Sequence, residues 1–230
     1  MAQLPHSVRI INNSYKDALS ELIEKNIHAD CVITRFNAKY LFEDEQYCEK
    51  DIEILLNLLA ACTYKGTHLY MEVSFKDYEL VKKGFENSCY QLKNTLILPA
   101  DLSKFKNPCR MNSFIKSDIR LVLFAHNGNF GKLINNTKWD IQDEECSCQC
   151  CQNASQYLSN WGLWFHGTVA QSYEVMMHLS TDHGDIILDP FMAEGDIGSA
   201  AIIADRHYIG IEPQAYICKE VATRLDNQGE

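Results

Sequence analysis

Short apolar runs alternate along the chain with segments of helical periodicity, a pattern typical of an α/β sheet domain. Seven apolar runs are predicted strands, at residues 8–11, 31–34, 68–73, 92–98, 119–124, 185–188 and 208–211. Apolar residues at helical spacing predict helices near residues 19–23, 52–59, 77–85, 174–179, 197–204 and 217–225. The polar, acidic stretch 36–51 is predicted to be a loop, and Gly66 is predicted to end the second helix.

The chain is predicted to form one domain over residues 1–230. Its length and its 46% of apolar residues are sufficient for a single buried core. Neither an internal repeat nor a low-complexity linker divides it. A polar, cysteine-containing segment at about residues 126–165 is predicted to be a short irregular insertion.

Charge and hydropathy limit the binding partners and the cellular location to be expected for the protein. The formal net charge of −10 lowers the expectation of tight, independent binding to nucleic acid, since such proteins usually present a basic face. No apolar run reaches the ~18 residues needed to span a membrane, and residues 1–6 do not resemble a secretory signal. We therefore expect a soluble, cytoplasmic protein. An acidic protein that imitates DNA is a remote alternative.

The candidate binding site lies in the last third of the chain. The apolar strand 185–188 ends at Asp189, and a tight turn leads from there into the next helix. In open α/β sheets, ligands bind beside such turns at the carboxyl ends of strands. About 20 residues later a second strand ends at Glu212, where an acid can accept hydrogen bonds from both hydroxyls of a ribose. The two strand ends predict a nucleoside-cofactor pocket, although Asp189 as a plain helix N-cap is the alternative.

These residues resemble the cofactor motifs of the N6-adenine and N4-cytosine DNA methyltransferases. The turn Asp189-Pro190-Phe191-x-Ala193-x-Gly195 is similar to the family's D-P-F-x-G-x-G, with an alanine in place of one glycine. Gly210-Ile211-Glu212 follows downstream, and His166-Gly167-Thr168 resembles the family's H-P-T. The resemblance implies that S-adenosylmethionine is bound by Asp189, Pro190, Phe191, Ala193, Gly195, Glu212, His166 and Thr168.

The motifs follow the order of the permuted, β-type members, in which the catalytic half precedes the cofactor half. Residues 8–34 are similar to the start of that catalytic half, so the resemblance covers roughly residues 7–225. It implies a Rossmann-like methyltransferase fold, with a mostly parallel seven-stranded sheet and helices on both faces. It also implies DNA as the partner, a place in restriction–modification, and direct methyl transfer to adenine N6 or cytosine N4.

The family's catalytic D-P-P-Y motif is degenerate in this chain. A gapless comparison places Arg35 at the acidic position, and a guanidinium has no hydrogen-bond acceptor. A shift of two residues places Asn37 and Tyr40 as the polar and aromatic residues, but both prolines are lost. Three hypotheses stay open. The protein is a working methyltransferase that uses Asn37 and Tyr40, an inactive subunit or binding module with a nucleic-acid or protein partner, or another transferase on the same scaffold.

The predicted insertion is too short for extensive reading of a DNA sequence. We therefore expect loose specificity, or help from a protein partner or a second copy of the chain. Three tryptophans in or near the insertion are able to stack on bases, although packing is their commoner role: Trp139, Trp161 and Trp164.

The ten cysteines fall into two groups. Six are scattered singly: Cys31, Cys48, Cys62, Cys89, Cys109 and Cys218. Several of them lie inside apolar segments, where they are predicted to be buried small hydrophobes. Four lie within six residues, at Cys146, Cys148, Cys150 and Cys151. That spacing is tighter than a zinc site usually has, so we assign no metal site and favour free thiols. A metal site shared with Cys109 or His126, or a disulfide, is the alternative.

Overall fold

Strands and helices alternate through the described part of the chain. A computed structural model of the protein describes residues 7–36, 48–98, 120–128 and 169–228. The strands are β1 (Val8–Ile11), β2 (Ala29–Arg35), β3 (Thr63–Val73), β4 (Tyr90–Leu98), β5 (Arg120–Asn127), β6 (Ile186–Asp189) and β7 (His207–Ile211). The helices are α1 (Tyr15–Glu24), α2 (Glu49–Ala61), α3 (Tyr78–Glu86), α4 (Val169–Ser180), α5 (Asp196–Ile203) and α6 (Ala215–Asp226). Each predicted strand and helix has its counterpart among them.

The strands form one sheet in the order β1-β7-β6-β2-β3-β5-β4. The neighbours from β1 to β3 are parallel, whereas β5 runs antiparallel to both β3 and β4. In the middle of the sheet, Val32 of β2 pairs with Leu188 of β6 on one side and Leu69 of β3 on the other. The predicted mostly parallel sheet is therefore confirmed, and it brings the carboxyl ends of β2, β6 and β7 to one edge.

Helices cover both faces of the sheet, as predicted. Leu22 of α1 and Leu56 of α2 are buried in the core on one face, while Ala201 of α5 and Leu225 of α6 are buried on the other. Strands covered on both faces need apolar side chains in both directions, which explains the unbroken apolar run at residues 31–33. None of the described helices is long and apolar enough to cross a membrane.

Helix α2 begins earlier than its periodicity predicted. Residues 49–51, which were predicted to belong to the loop 36–51, form its first turn. The carboxylate of Asp51 accepts a hydrogen bond from the backbone N–H of Cys48 at 3.0 Å and so caps the helix from its third residue. A local cap of this kind outweighs the polar composition that suggested a loop.

Strands β3 and β5 are longer than predicted. β3 begins at Thr63, so Gly66 lies inside the strand at φ +92° and does not end the preceding helix. β5 continues to Asn127 because His126 still pairs with His68 of β3. The first residues of the predicted insertion therefore belong to the sheet, and its remainder from residue 129 lies outside the described residues.

The scattered cysteines are not uniformly buried. Three of those in the described ranges are buried, as predicted: Cys31, Cys62 and Cys218. Cys48 and Cys89, which do not lie in apolar segments, are exposed just before α2 and just before β4. Cys109 lies outside the described residues.

Candidate functional site

A cavity of about 880 Å³ lies at the carboxyl edge of the sheet. Its walls come from the end of β2, the turn after β6, the segment after β7, the first turns of α1 and α5, and one side of α6 from Tyr216 to Arg224. This volume is in the range of cofactor-binding pockets. The cavity also lies where ligands bind in open parallel sheets, outside the carboxyl ends of the strands.

Asp189 ends β6, and its buried side chain holds the turn that follows. Its carboxylate is fully buried and accepts hydrogen bonds from the Thr34 hydroxyl at 2.9 Å, the Phe191 N–H at 3.2 Å and the Tyr208 hydroxyl at 3.0 Å. Burial raises the pKa of Asp189 to about 6, although these three hydrogen bonds act in the opposite direction. The residue ties β2, β6 and β7 together under the cavity floor.

The turn that follows requires left-handed backbone at two positions. Gly195 has φ +72°, and a Cβ there would lie 2.5 Å from a methyl carbon of Val221 in α6. Ala193 has φ +44° although it carries a side chain. This is the position at which the resembling family has glycine, which is the residue that adopts this conformation without strain.

Glu212 follows β7 directly and lines the cavity. Its side chain is buried, and one carboxylate oxygen accepts a hydrogen bond from the Gln214 N–H at 3.0 Å. The amide of Asn12 holds the backbone here by donating to the carbonyl oxygens of Glu212 and Pro213 at 3.0 and 2.9 Å. The carboxylate therefore has a fixed position beside the turn after β6.

Phe191 gives the cavity an apolar wall. Its ring contacts Tyr15 and Phe36 edge to face, with centroid separations of 5.5 and 6.4 Å. Such pairs hold an aromatic ring in one orientation. Apolar side chains from α5 and α6, Ile197 and Ile217, also line the cavity.

Arg35, at the end of β2, is held by a network of polar side chains. Its guanidinium lies 3.4 Å from the buried carboxylate of Glu72 and donates to the Tyr173 hydroxyl at 3.0 Å. That hydroxyl donates to Glu72 at 2.7 Å, and Asp196 lies 3.5 Å from the guanidinium on the cavity side. Burial by itself would lower the pKa of the Arg35 guanidinium. Its interactions with Tyr173, Glu72 and Asp196 outweigh this effect and raise the pKa. Arg35 is therefore a permanent cation at the cavity wall.

The structure brings part of the predicted cofactor site together. Four of its residues line the cavity: Pro190, Phe191, Ala193 and Glu212. Asp189 and Gly195 support the same turn but do not line the cavity. Their direct contact with a cofactor stays a prediction.

Other predicted residues lie outside the described ranges. These are Asn37, Tyr40, His166, Thr168, the three tryptophans and the four clustered thiols. Among the side chains that the structure describes, no group of three or more His, Cys, Asp or Glu residues is arranged to hold a metal ion.

The residues that surround Arg35 were not predicted from the sequence. Glu72 carried a signal, since it is a charged residue near the end of the otherwise apolar run 68–73. Asp196 was visible as an added negative charge in the turn, but its partner was not. Tyr173 had no recognisable signal, because it reaches Arg35 from a helix at a sequence separation of 138.

Fold and cavity together define the class: the chain has the Rossmann-like fold of S-adenosylmethionine-dependent methyltransferases. M1.HpyAVI, solved with S-adenosylmethionine, is 16% identical with a TM-score of 0.68, covering 95% of this chain and 99% of that one. TTHA0409 from Thermus thermophilus is 14% identical with a TM-score of 0.69, covering 97% and 95%. The cytosine-N4-specific PvuII DNA methyltransferase is 11% identical with a TM-score of 0.61, covering 97% and 91%. At these identities the likeness shows the fold.

A sequence match points to the family within that class. Residues 168–223 match the N6/N4 methyltransferase family model, described as DNA methylase. The matched segment contains the turn 189–195 and Glu212, which border the cavity. The predicted resemblance to the N6-adenine and N4-cytosine DNA methyltransferases is thereby confirmed, with the sequence match confined to the cofactor half. None of the curated proteins matches the chain by sequence.

Proposed function

We propose that this protein binds S-adenosylmethionine in the cavity and acts as an S-adenosylmethionine-dependent protein of the DNA amino-methyltransferase family. The observation that supports this most directly is the buried carboxylate of Glu212 at the cavity wall. One oxygen accepts from Gln214, and within the described ranges the other, Oε2, has no hydrogen-bond partner. A carboxylate in this position is suited to accept hydrogen bonds from ribose hydroxyls.

The rest of the cavity fits the other parts of such a cofactor. Phe191, Ile197 and Ile217 offer apolar surface for an adenine ring. The turn after β6 leads into α5, and the first residues of this helix, Asp196 and Ile197, line the cavity. M1.HpyAVI and TTHA0409, which share this fold, were solved in complex with S-adenosylmethionine.

The reaction proposed for this site is methyl transfer to an exocyclic amino group of adenine or cytosine in DNA. Bound S-adenosylmethionine supplies a methyl group on a positively charged sulphur. The amino nitrogen forms the new N–C bond, the C–S bond breaks with its electrons staying on sulphur, and the nitrogen loses a proton. The protein contributes mainly by positioning the reactants. We assign that role to Asn37, as acceptor for the amino group, and to Tyr40, as a platform for the base.

A second candidate is a binding module that holds the cofactor without transferring its methyl group. It is favoured by Arg35, which occupies the position where a gapless comparison places the family's acidic residue. The network with Glu72 and Tyr173 keeps a donor-only guanidinium there. Such a module would act through DNA, a protein partner or a second copy of the chain. For either candidate we propose a cytoplasmic protein of a restriction–modification system.

Binding of S-adenosylmethionine is tested by isothermal titration and thermal shift with the full chain. We expect saturable binding that Glu212→Gln weakens on the order of tenfold, because a charged acceptor is replaced by a neutral one. Glu220→Gln is the matched control, since Glu220 is an exposed carboxylate on the same cavity wall. Absence of both heat and thermal shift for the unmodified protein would refute the proposal.

Methyl transfer is tested with labelled S-adenosylmethionine and DNA of mixed sequence. Incorporation of label that Asn37→Ala abolishes supports the working methyltransferase. Saturable binding of the cofactor with no incorporation on any DNA supports the binding module instead. Incorporation that survives in Asn37→Ala would show that the assignment of the acceptor is wrong.

A further inference from the structure

Two opposite charges on the cavity wall remain open to a ligand. Arg35 of β2 and Asp196 of α5 both line the cavity, with side chains 36% and 40% exposed. Their nearest atoms, Nη2 and Oδ2, are 3.5 Å apart, which is too long for a strong hydrogen bond. Neither charge is therefore fully satisfied by the other.

The guanidinium of Arg35 is held in place by buried side chains. Glu72 and Tyr173 contact the Nε and Nη2 atoms, and both partners are buried. Among the described residues, the Nη1 atom has no hydrogen-bond partner. The guanidinium is thus held in place while part of its donor edge stays available at the cavity. Glu72 also offsets its positive charge, so the nearby wall does not repel a cationic ligand group.

Strand β6 lies between the strand that Arg35 ends, β2, and the strand that Glu212 follows, β7. Two strand spacings separate them by about 10 Å. In S-adenosylmethionine, C5′, sulphur, Cγ and Cβ separate the ribose from the amino-acid end. A ligand with its ribose at Glu212 is therefore long enough for its amino-acid end to reach Arg35 and Asp196, which line the same cavity.

We infer that Arg35 and Asp196 together bind the zwitterionic amino-acid end of the cofactor. The planar fork of Arg35 matches a carboxylate, and the carboxylate of Asp196 matches the α-ammonium group. This rests on the proposed binding of S-adenosylmethionine. It also gives Arg35 a function at a position where it cannot accept a hydrogen bond from a target base. Arg35 then serves the cofactor, whichever residue serves the base.

The test compares ligands that differ in one group, using calorimetric affinities for the full-length chain. The ligands are S-adenosylmethionine, its decarboxylated analogue and its deaminated analogue, which each lack one charged group of the amino-acid end and keep the sulphonium. For the unmodified protein we expect decarboxylation to weaken binding on the order of 10- to 100-fold. Arg35→Gln should bind S-adenosylmethionine more weakly and lose most of that discrimination. Lys16→Gln is the matched control, because Lys16 is another cation at the cavity wall.

Asp196 is tested in the same way with the ammonium group. Asp196→Asn should reduce the preference for S-adenosylmethionine over its deaminated analogue, since these two ligands differ only in the ammonium group. Arg35→Lys keeps a cation beside Glu72 if Arg35→Gln fails to fold. We expect Arg35→Lys to show intermediate discrimination, because lysine lacks the planar fork.

The outcomes separate this inference from the proposed function. Equal affinity of the unmodified protein for S-adenosylmethionine and its decarboxylated analogue overturns the role of Arg35. Equal affinity for S-adenosylmethionine and its deaminated analogue overturns the role of Asp196, and in both cases the cofactor proposal stands. Full discrimination retained in Arg35→Lys and Arg35→Gln overturns the role of Arg35 as well. Failure of all three nucleosides to bind overturns the cofactor proposal itself and this inference with it.

Discussion

Replacing Asp189 by asparagine should make the stability of the protein less sensitive to rising pH. The Asp189 carboxylate is fully buried, and its oxygens accept from Thr34, Tyr208 and the backbone of Phe191. Asparagine has nearly the same shape and keeps one acceptor oxygen for Thr34. Its amide can donate to the Tyr208 oxygen in place of the original bond. The substitution removes the titrating charge with little change in packing.

The direction in which stability changes with pH follows from the direction of the pKa shift of Asp189. Burial raises the pKa of Asp189 from 3.8 to about 6 in the folded protein. Between these values the folded state binds more protons than the unfolded state, so the free energy of unfolding decreases as pH rises. The contribution is fully present below the unfolded value of 3.8 and is lost as pH rises through about 6. A shift of this size corresponds to about 3 kcal/mol in full.

The assay is urea unfolding of the unmodified protein and Asp189→Asn at about pH 4.5 and about pH 8. From about pH 4.5 to about pH 8, the unmodified protein should lose about 2 kcal/mol more unfolding free energy than Asp189→Asn does. Asp226→Asn is the control, because it removes an exposed carboxylate at the end of α6. A difference between Asp189→Asn and the unmodified protein that stays constant with pH would refute the reasoning.

Four further substitutions test close packing and backbone conformation by chemical denaturation. Gly195→Ala should destabilise the protein by about 2–4 kcal/mol, since it adds a clash to an unfavourable φ. Gly184→Ala, at φ +83° with no atom within 4 Å of the added Cβ, carries only the backbone cost. It should destabilise the protein less than Gly195→Ala does. Ala193→Gly should stabilise the protein by up to about 1 kcal/mol through relief of backbone strain, and a loss of stability would contradict this. Gly84→Ala places a Cβ 2.4 Å from Ile52 and should cost about 1–2 kcal/mol despite the better helix propensity of alanine; an unchanged unfolding midpoint would contradict this clash.

The sequence was sufficient for the order of the elements and for the kind of sheet they form. Apolar runs without alternation require strands covered on both faces, and helical spacing between them predicts the covering helices. The turn after β6 was equally visible, because its conformation depends on neighbours in sequence such as Gly195. The predicted boundaries of α2 and β3 were less accurate. The cap at Asp51 extends α2, and the irregular pairing between Thr63 and His68 lets β3 begin before Gly66.

The composition of the candidate site depended on three-dimensional packing. Both Asp189 and Glu212 were predicted to bind the cofactor, but folding buries Asp189 under the turn and leaves Glu212 at the cavity wall. The partners of Arg35 come from β3, α4 and α5, and they meet only because the strand order places β2 between β6 and β3. Contacts between residues so distant in the chain leave no local pattern. Taken singly in the sequence, each of these side chains is compatible with a surface position, and only the folded sheet shows that they are neighbours.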